Sequence, residues 1–235
     1  METLPPSSLI LAIESATPLG SVALFGDGQL IACYEYERQN LHAKLMAPLI
    51  ERILSDQSWS PRDLTAVAVG RGPGSYTGLR VGVATAKGLC MALGIPLISI
   101  GSLEAIASAA AVFAVNSGAK ICPMIDARRM EVYCAVYSSG LTEIEAVQAR
   151  IIDANSFSDL LEAGKVIFLG PGSEKCREIL GMNRNAVFLT GISATARTFG
   201  RFLEERSIAS RFEDLTAFEP HYLKDYVATT PRKKL

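Results

Sequence analysis

Histidine is scarce in this chain. Its 235 residues include two, His42 and His221. Metal-dependent hydrolases draw on clustered His, Cys and carboxylate ligands. The position one helical turn after His42 is Met46, so a two-histidine helix site is not formed, and His42 reads as a surface or cap residue. The same scarcity leaves no arguable Ser-His-Asp or Cys-His set. The cysteines Cys33, Cys90, Cys122, Cys134 and Cys176 are odd in number and lack C-x-x-C spacing. They read as buried thiols in a reducing cytosol. Basic excess is missing too. Lys and Arg number 23 against 24 Asp and Glu, a net charge of -1, so no overall basic surface for nucleic acid is expected. The most apolar run, Ala105 to Val115, is too short to span a bilayer. Met1 to Ser8 carries no basic n-region, so neither a signal peptide nor a membrane location is expected.

What the chain does have is one dense stretch of turn residues, Gly70-Arg71-Gly72-Pro73-Gly74-Ser75-Tyr76-Thr77-Gly78-Leu79-Arg80. It follows an apolar strand, Thr65 to Val69, and leads into a long helix from Thr77 to about Leu93. A strand that ends in glycines and turns into a helix can present backbone N–H groups to an anion. The same residues also make a sharp corner with no ligand at all.

Around this stretch the order of elements repeats. The first half reads as strands at Leu9–Ser15, Ser21–Phe25 and Leu30–Glu37, a helix at Leu41–Leu54, the Thr65–Val69 strand, the long helix, a strand at Pro96–Ile100 and a helix from Ser102. Pro48 is expected either to kink the Leu41–Leu54 helix or to mark a first turn that begins later than the periodicity suggests. The second half reads as strands at Lys120–Asp126, Met130–Ser138 and Thr142–Ala149, a helix at Asn155–Glu162, a strand at Lys165–Leu169, a helix to about Leu180, a strand at Ala186–Leu189 and a helix from Ser193 to about Arg206. Gly-Pro-Gly-Ser occurs at the same step in each half, at Gly72–Ser75 and Gly170–Ser173, and each first strand ends in an apolar residue and an acid, Ile13-Glu14 and Ile125-Asp126. Duplication follows. The expected fold is α/β, a duplicated actin/hexokinase/Hsp70-like architecture with lobes at 1–103 and 104–235, the second reduced, and with the last helix, about 193–206, a candidate to pack back on the first lobe.

An ATP-dependent enzyme of this architecture would use Glu14 and Asp126 across the interlobe cleft. Its hairpins are poor phosphate cradles: Thr17-Pro18-Leu19-Gly20 has one glycine, and Ala127-Arg128-Arg129 has none. Glu14 and Asp126 are therefore weak cofactor candidates. The long helix carries small residues four apart, Gly74, Gly78, Gly82, Ala86 and Cys90. Interior helix glycine costs roughly 1 kcal/mol against alanine, so another backbone is expected close by. That backbone belongs either to this chain's own sheet or to a second protein. The wide apolar stripe of the Leu41–Leu54 helix, including Leu45, Met46 and Leu49, also hints at burial on a second side. The partner-interface candidates are Leu45, Met46, Leu49, Gly74, Tyr76, Thr77, Gly78, Arg80, Gly82 and Ala86. Pro231-Arg232-Lys233-Lys234 reads as a solvated basic tail.

Several of these segments resemble the TsaB (YeaZ) family: Ile10 to Thr17 with Ser21 to Leu24, Gly72 through Arg80, Ile125 through Tyr133, and Glu219-Pro220-His221-Tyr222-Leu223-Lys224, where Lys224 replaces an arginine. Glu14 departs from the more common aspartate. The resemblance implies a cytoplasmic, non-catalytic subunit required for threonylcarbamoyl modification of the adenosine beside the anticodon of tRNA. It implies a TsaD-type transferase as partner, bound through the helices at about Leu41–Leu54 and Thr77–Leu93, and a TsaE-type ATPase. Contact with tRNA would come through the complex, and a homodimer would form when the transferase is absent. No cofactor of its own is implied; ATP or ADP at the interface with the transferase is left open.

Overall fold

The computed structural model describes residues 5–37 and 41–224. The first lobe contains β1 (Leu9–Glu14), β2 (Leu19–Gly26), β3 (Gln29–Glu37), α1 (His42–Ser55), β4 (Ala66–Gly70), α2 (Tyr76–Leu93), β5 (Leu97–Ile100) and α3 (Ser102–Ser108). After α4 (Ala111–Ser117), the second lobe contains β6 (Lys120–Asp126), β7 (Glu131–Tyr137), β8 (Glu143–Ile151), α5 (Ser158–Ala163), β9 (Val166–Leu169), α6 (Arg177–Leu180), β10 (Ala186–Leu189) and α7 (Gly200–Ile208).

Each lobe is built on a five-stranded sheet, and the two orders correspond: β3-β2-β1-β4-β5 and β8-β7-β6-β9-β10. In each, the first three strands are antiparallel and the last two run parallel to the first. This is the duplicated actin-like architecture. The second lobe is reduced at one place above all: the 18-residue α2 corresponds to a 3-10 turn, Glu174–Cys176, followed by the four-residue α6. The helix expected from Ser102 to about Ala114 is two helices. Pro48 lies inside a continuous α1 on its exposed side, where its missing N–H leaves the Lys44 carbonyl without the usual helical donor.

β1 is buried on both faces, which is why it reads as an uninterrupted apolar run. Leu9, Leu11 and Ile13 pack with Met46, Ile50 and Ile53 of α1 and Val83, Ala86 and Cys90 of α2. Ile10 and Ala12 pack on the opposite face with Ala196, Phe199, Phe202 and Leu203. Those last four come from the far end of the chain. Conversely Leu103, Ile106 and Ala107 of α3 pack against Ile121 and Ile125 of β6 and Ile167 and Leu169 of β9. Each half of the chain thus supplies a helix to the other half's sheet.

Residues 213–224 then run back across both lobes. The Glu213 N–H donates to the Leu97 carbonyl (2.9 Å), Lys87 Nζ to the Phe218 carbonyl (2.9 Å), and the His221 N–H to the Arg71 carbonyl (2.7 Å). Tyr222 lies against Tyr76 with ring centroids 4.8 Å apart, and Lys224 pairs with Glu131 of β7. Among the described residues, no helix is long and apolar enough to cross a membrane.

Candidate partner interface and the groups beneath it

α2 begins at the Gly-Pro-Gly-Ser corner. Ser75 is its N-cap, its hydroxyl accepting from the Gly78 N–H at 3.2 Å, and Gly94 closes the helix in the left-handed conformation (φ 68°). The corner is locked to the end of β1 by the Ser75 N–H, which donates to the Ala16 carbonyl at 2.7 Å. The second lobe repeats the device, with the Gly172 N–H donating to the Met124 carbonyl at 2.9 Å. Gly72 and Gly170 both hold positive φ, 97° and 95°. A Cβ on Gly74 would strike the Ala16 carbonyl, and one on Gly172 the backbone of Ile125 and Asp126. The repeated tetrapeptide is therefore a structural corner, dictated by backbone that side chains would exclude.

The small-residue stripe of α2 faces inward. Cβ atoms on Gly78 and Gly82 would collide with the Ser15 carbonyl and hydroxyl, and Ser15 Oγ donates to the Gly78 carbonyl at 2.9 Å. Ala86 and Cys90 are fully buried against β1 and β4. This corrects the partner assignment of Gly78, Gly82, Ala86 and Met46: all four are covered within this chain, by β1 and the turn that follows it. Gly74, half-buried, is occupied in the same way by Ala16. Leu45, Leu49 and Tyr76 are half-buried at the margins, while Thr77 and Arg80 are exposed. Arg80 stacks over the Tyr76 ring, 5.4 Å from its centroid.

A different small-residue set faces outward. Ala43 and Ala47 on α1, and Ala84 and Gly88 on α2, are exposed, and a Cβ on Gly88 would meet nothing within 4 Å. Gly88 is the signal that periodicity reading missed. It lies in a helix interior, at the usual helical penalty, with no neighbour in its own chain that requires it.

The groups that could carry chemistry are tied into the frame beneath this surface. Glu14 is fully buried, contrary to a place in an open cleft. Its Oε1 accepts from the Ser15 and Ala16 N–H groups, both at 2.7 Å, and its Oε2 from the Ser102 hydroxyl at 2.8 Å. Burial raises its pKa, against the lowering effect of these donors. Gly70 leaves the room that this carboxylate fills. Asp126 is held elsewhere, by the Lys175 ammonium and the Arg128 N–H, both at 2.6 Å. Lys175 also donates to the carbonyls of Arg129 and Glu131 at 2.7 Å, closing a turn in which Arg128 and Arg129 both adopt positive φ. The two acids have separate partners, and neither Glu14 nor Asp126 lines the interlobe cavity.

His42, expected at the surface, is buried at the first turn of α1. Its Nε2 is 3.0 Å from the Thr17 carbonyl, which can only accept, so Nε2 carries the hydrogen. Nδ1 is then the acceptor for the Tyr36 hydroxyl at 2.7 Å. Burial lowers the His42 pKa and pushes that of Tyr36 up to about 12. The imidazole is a neutral strut joining α1, β3 and the β1–β2 turn. Among the described residues, no group of three or more His, Cys, Asp or Glu side chains is placed to hold a metal ion. The basic tail at Pro231–Lys234 lies outside the described residues.

Two matched five-stranded sheets, locked glycine corners and helices exchanged between lobes define the class: a duplicated, two-lobed α/β protein of the actin/hexokinase/Hsp70-like type. Residues 37–232 match the family described as TsaD: tRNA N6-adenosine threonylcarbamoyltransferase. The chain is 39% identical over 128 residues to the tRNA threonylcarbamoyladenosine biosynthesis protein TsaB of Escherichia coli, covering 54% of each chain. It is 35% identical over 164 residues to TsaB of Bacillus subtilis, covering 68% of this chain and 70% of that one. The match therefore spans about half the length of the first relative and just over two thirds of the second. Among solved structures, YeaZ from Pseudomonas aeruginosa superposes with a TM-score of 0.79 at 22% identity, over 92% of this chain and all of that one. The chain belongs to the TsaB (YeaZ) family.

Proposed function

We propose that this chain is a non-catalytic scaffold subunit in the biosynthesis of threonylcarbamoyladenosine in tRNA, acting in the cytoplasm by pairing its α1–α2 face with a TsaD-type transferase. The relatives' names support the pathway. The observation that carries the scaffold role is the outward face of the two helices. Ala43, Ala47, Ala84 and Gly88 are exposed there, leaving backbone open to the close approach of another helix. Thr77 and Arg80 lie on the same side of α2 as Ala84 and Gly88, while Leu45 and Leu49 lie on the opposite flank of α1 from Ala43 and Ala47. Glu14 and His42, the groups best suited to acid–base work, are spent on holding the β1–β2 turn and the helix pair in place. A TsaE-type ATPase, tRNA reached through the complex, ATP or ADP at the interface with the transferase, and a homodimer formed when the transferase is absent belong to the same proposal.

Gly88→Arg, alone and with Ala84→Arg, tests it. The side chains point to solvent in the isolated chain and replace a helix-interior glycine, so the variants should unfold at a urea concentration no lower than the parent's. They should fail to co-purify with the transferase and fail to restore tRNA threonylcarbamoylation in cells lacking the native protein. A folded double variant that still binds the transferase at parental affinity would rule out this face as the contact.

A further inference from the structure

Between the lobes lies a cavity of about 260 Å³. Arg71 and the backbone of Gly72 and Gly101 contribute to it from the first lobe, Tyr137 and Glu143 from the second, and His221 from the returning C-terminal segment. Arg206 and Glu104 also line it, but they neutralise each other in a two-pronged ion pair at 2.7 and 2.8 Å, and Arg206 donates to the Ser99 carbonyl as well. The remaining polar side chains are different. Among the described residues, the Arg71 guanidinium, the Tyr137 hydroxyl, the Glu143 carboxylate and the His221 imidazole make no hydrogen bond or ion pair. Tyr137 is nevertheless a buried residue, 5% exposed. Burial is the main cause of its raised pKa; the charges of Glu104 and Glu143 add to the rise, and those of Arg71 and Arg206 oppose it. A guanidinium, a carboxylate, an imidazole and the hydroxyl of a buried tyrosine, none of them paired with another side chain among the described residues, line one concave site, a lining that suits a small polar ligand.

We propose that this cavity binds a small zwitterion of amino-acid size, its carboxylate on Arg71 and its ammonium on Glu143. A cavity of about 260 Å³ has room for an α-amino acid. A free guanidinium fork suits a carboxylate, which takes two parallel N–H bonds from it. Glu143 offers the matching acceptor for an ammonium, and Tyr137 and His221 can complete the remaining hydrogen bonds. Because Arg71 belongs to the first lobe and Glu143 to the second, the ligand would bridge the lobes. The proposal does not depend on the tRNA-modification reading.

The full-length chain, titrated with L-alanine, L-threonine and L-aspartate and followed by NMR of the Tyr137 ring and the Gly72 amide, tests it. Propionate and propylamine, each carrying one charge of the pair, serve as controls. Saturable shifts are expected with at least one amino acid and not with either control. Each of Arg71→Gln and Glu143→Gln, both at exposed positions, should weaken binding about tenfold or more, as loss of a charged hydrogen bond worth about 1.5–3 kcal/mol requires. Lys44→Ala, on the outer side of α1, should leave it unchanged. No saturable shift with any amino acid, equal shifts with propionate, or undiminished binding by Arg71→Gln would each overturn the assignment.

Discussion

The Ser15 hydroxyl donates to the Gly78 carbonyl at 2.9 Å across 63 positions of sequence. This bond brings the turn after β1 onto the first turn of α2, and the stripe of small residues exists to permit it. The same helix carries Gly88, a glycine that nothing in the chain requires. The two kinds of glycine respond oppositely to the same substitution.

Gly82→Ala drives a methyl into Ser15 Oγ and should destabilise the fold by about 1–3 kcal/mol, the usual range for overpacking. Gly88→Ala fills open space in a helix and should stabilise it by up to about 1 kcal/mol. Urea unfolding midpoints of the two variants decide the matter. A shift of Gly82→Ala in the stabilising direction would mean the inward face is misassigned.

Glu14→Ala and Glu14→Gln should part company. The alanine leaves two buried N–H groups and the Ser102 hydroxyl without their acceptor, at about 1–3 kcal/mol for each group left unsatisfied. The glutamine keeps an acceptor for both N–H groups and can donate to Ser102. Burial places the folded pKa of Glu14 above its ordinary 4.5, so the native state binds its proton more tightly than the unfolded chain. The stability contributed by this group is then present below pH 4.5 and lost as pH rises through the folded value. Chemical unfolding across that range should show the loss in the parent and not in Glu14→Gln.

His42 pulls the other way. Its folded pKa is below the ordinary 6.5, so the unfolded chain takes up the proton first. Its contribution to stability is constant above pH 6.5 and falls as pH drops from there through the folded value. NMR titration of the imidazole should give a midpoint below 6.5. In His42→Gln, whose amide can still donate to the Thr17 carbonyl, the His42 part of the loss of stability below pH 6.5 should vanish.

The duplication was legible because it is written in residues that the backbone itself demands. Gly72 and Gly170 sit at nearly the same positive φ, and Gly74 and Gly172 at the same close approach to the end of a first strand. The strands were legible for a related reason, since β1 and β4 are buried on both faces and show as unbroken apolar runs. The direction of the α2 stripe was not legible. Spacing of four identifies a line of small residues along a helix but not which neighbour lies against it. Here the neighbour is a turn more than sixty residues earlier. His42 failed for the same reason: its partners, Tyr36 and Thr17, meet it only after β1, β2 and β3 have folded into a meander. In the second lobe Gly-Pro-Gly-Ser is intact, but the helix it should open is one turn of 3-10 helix and one of α-helix. The corner motif specifies the turn and is silent on how far the following helix runs.

The exchange of helices between lobes has a consequence for how the chain can be divided. β1 and β2 rest on Phe199, Phe202 and Leu203, and β6 and β9 on Leu103, Ile106 and Ala107. A cut at the exposed Gly118 would yield two fragments, each with a complete five-stranded sheet, each bare on one face, and each carrying the helix that covers the other. Such halves are reciprocal cofactors for folding: mixed together they should reassemble, and kept apart neither has the apolar cover its own sheet needs.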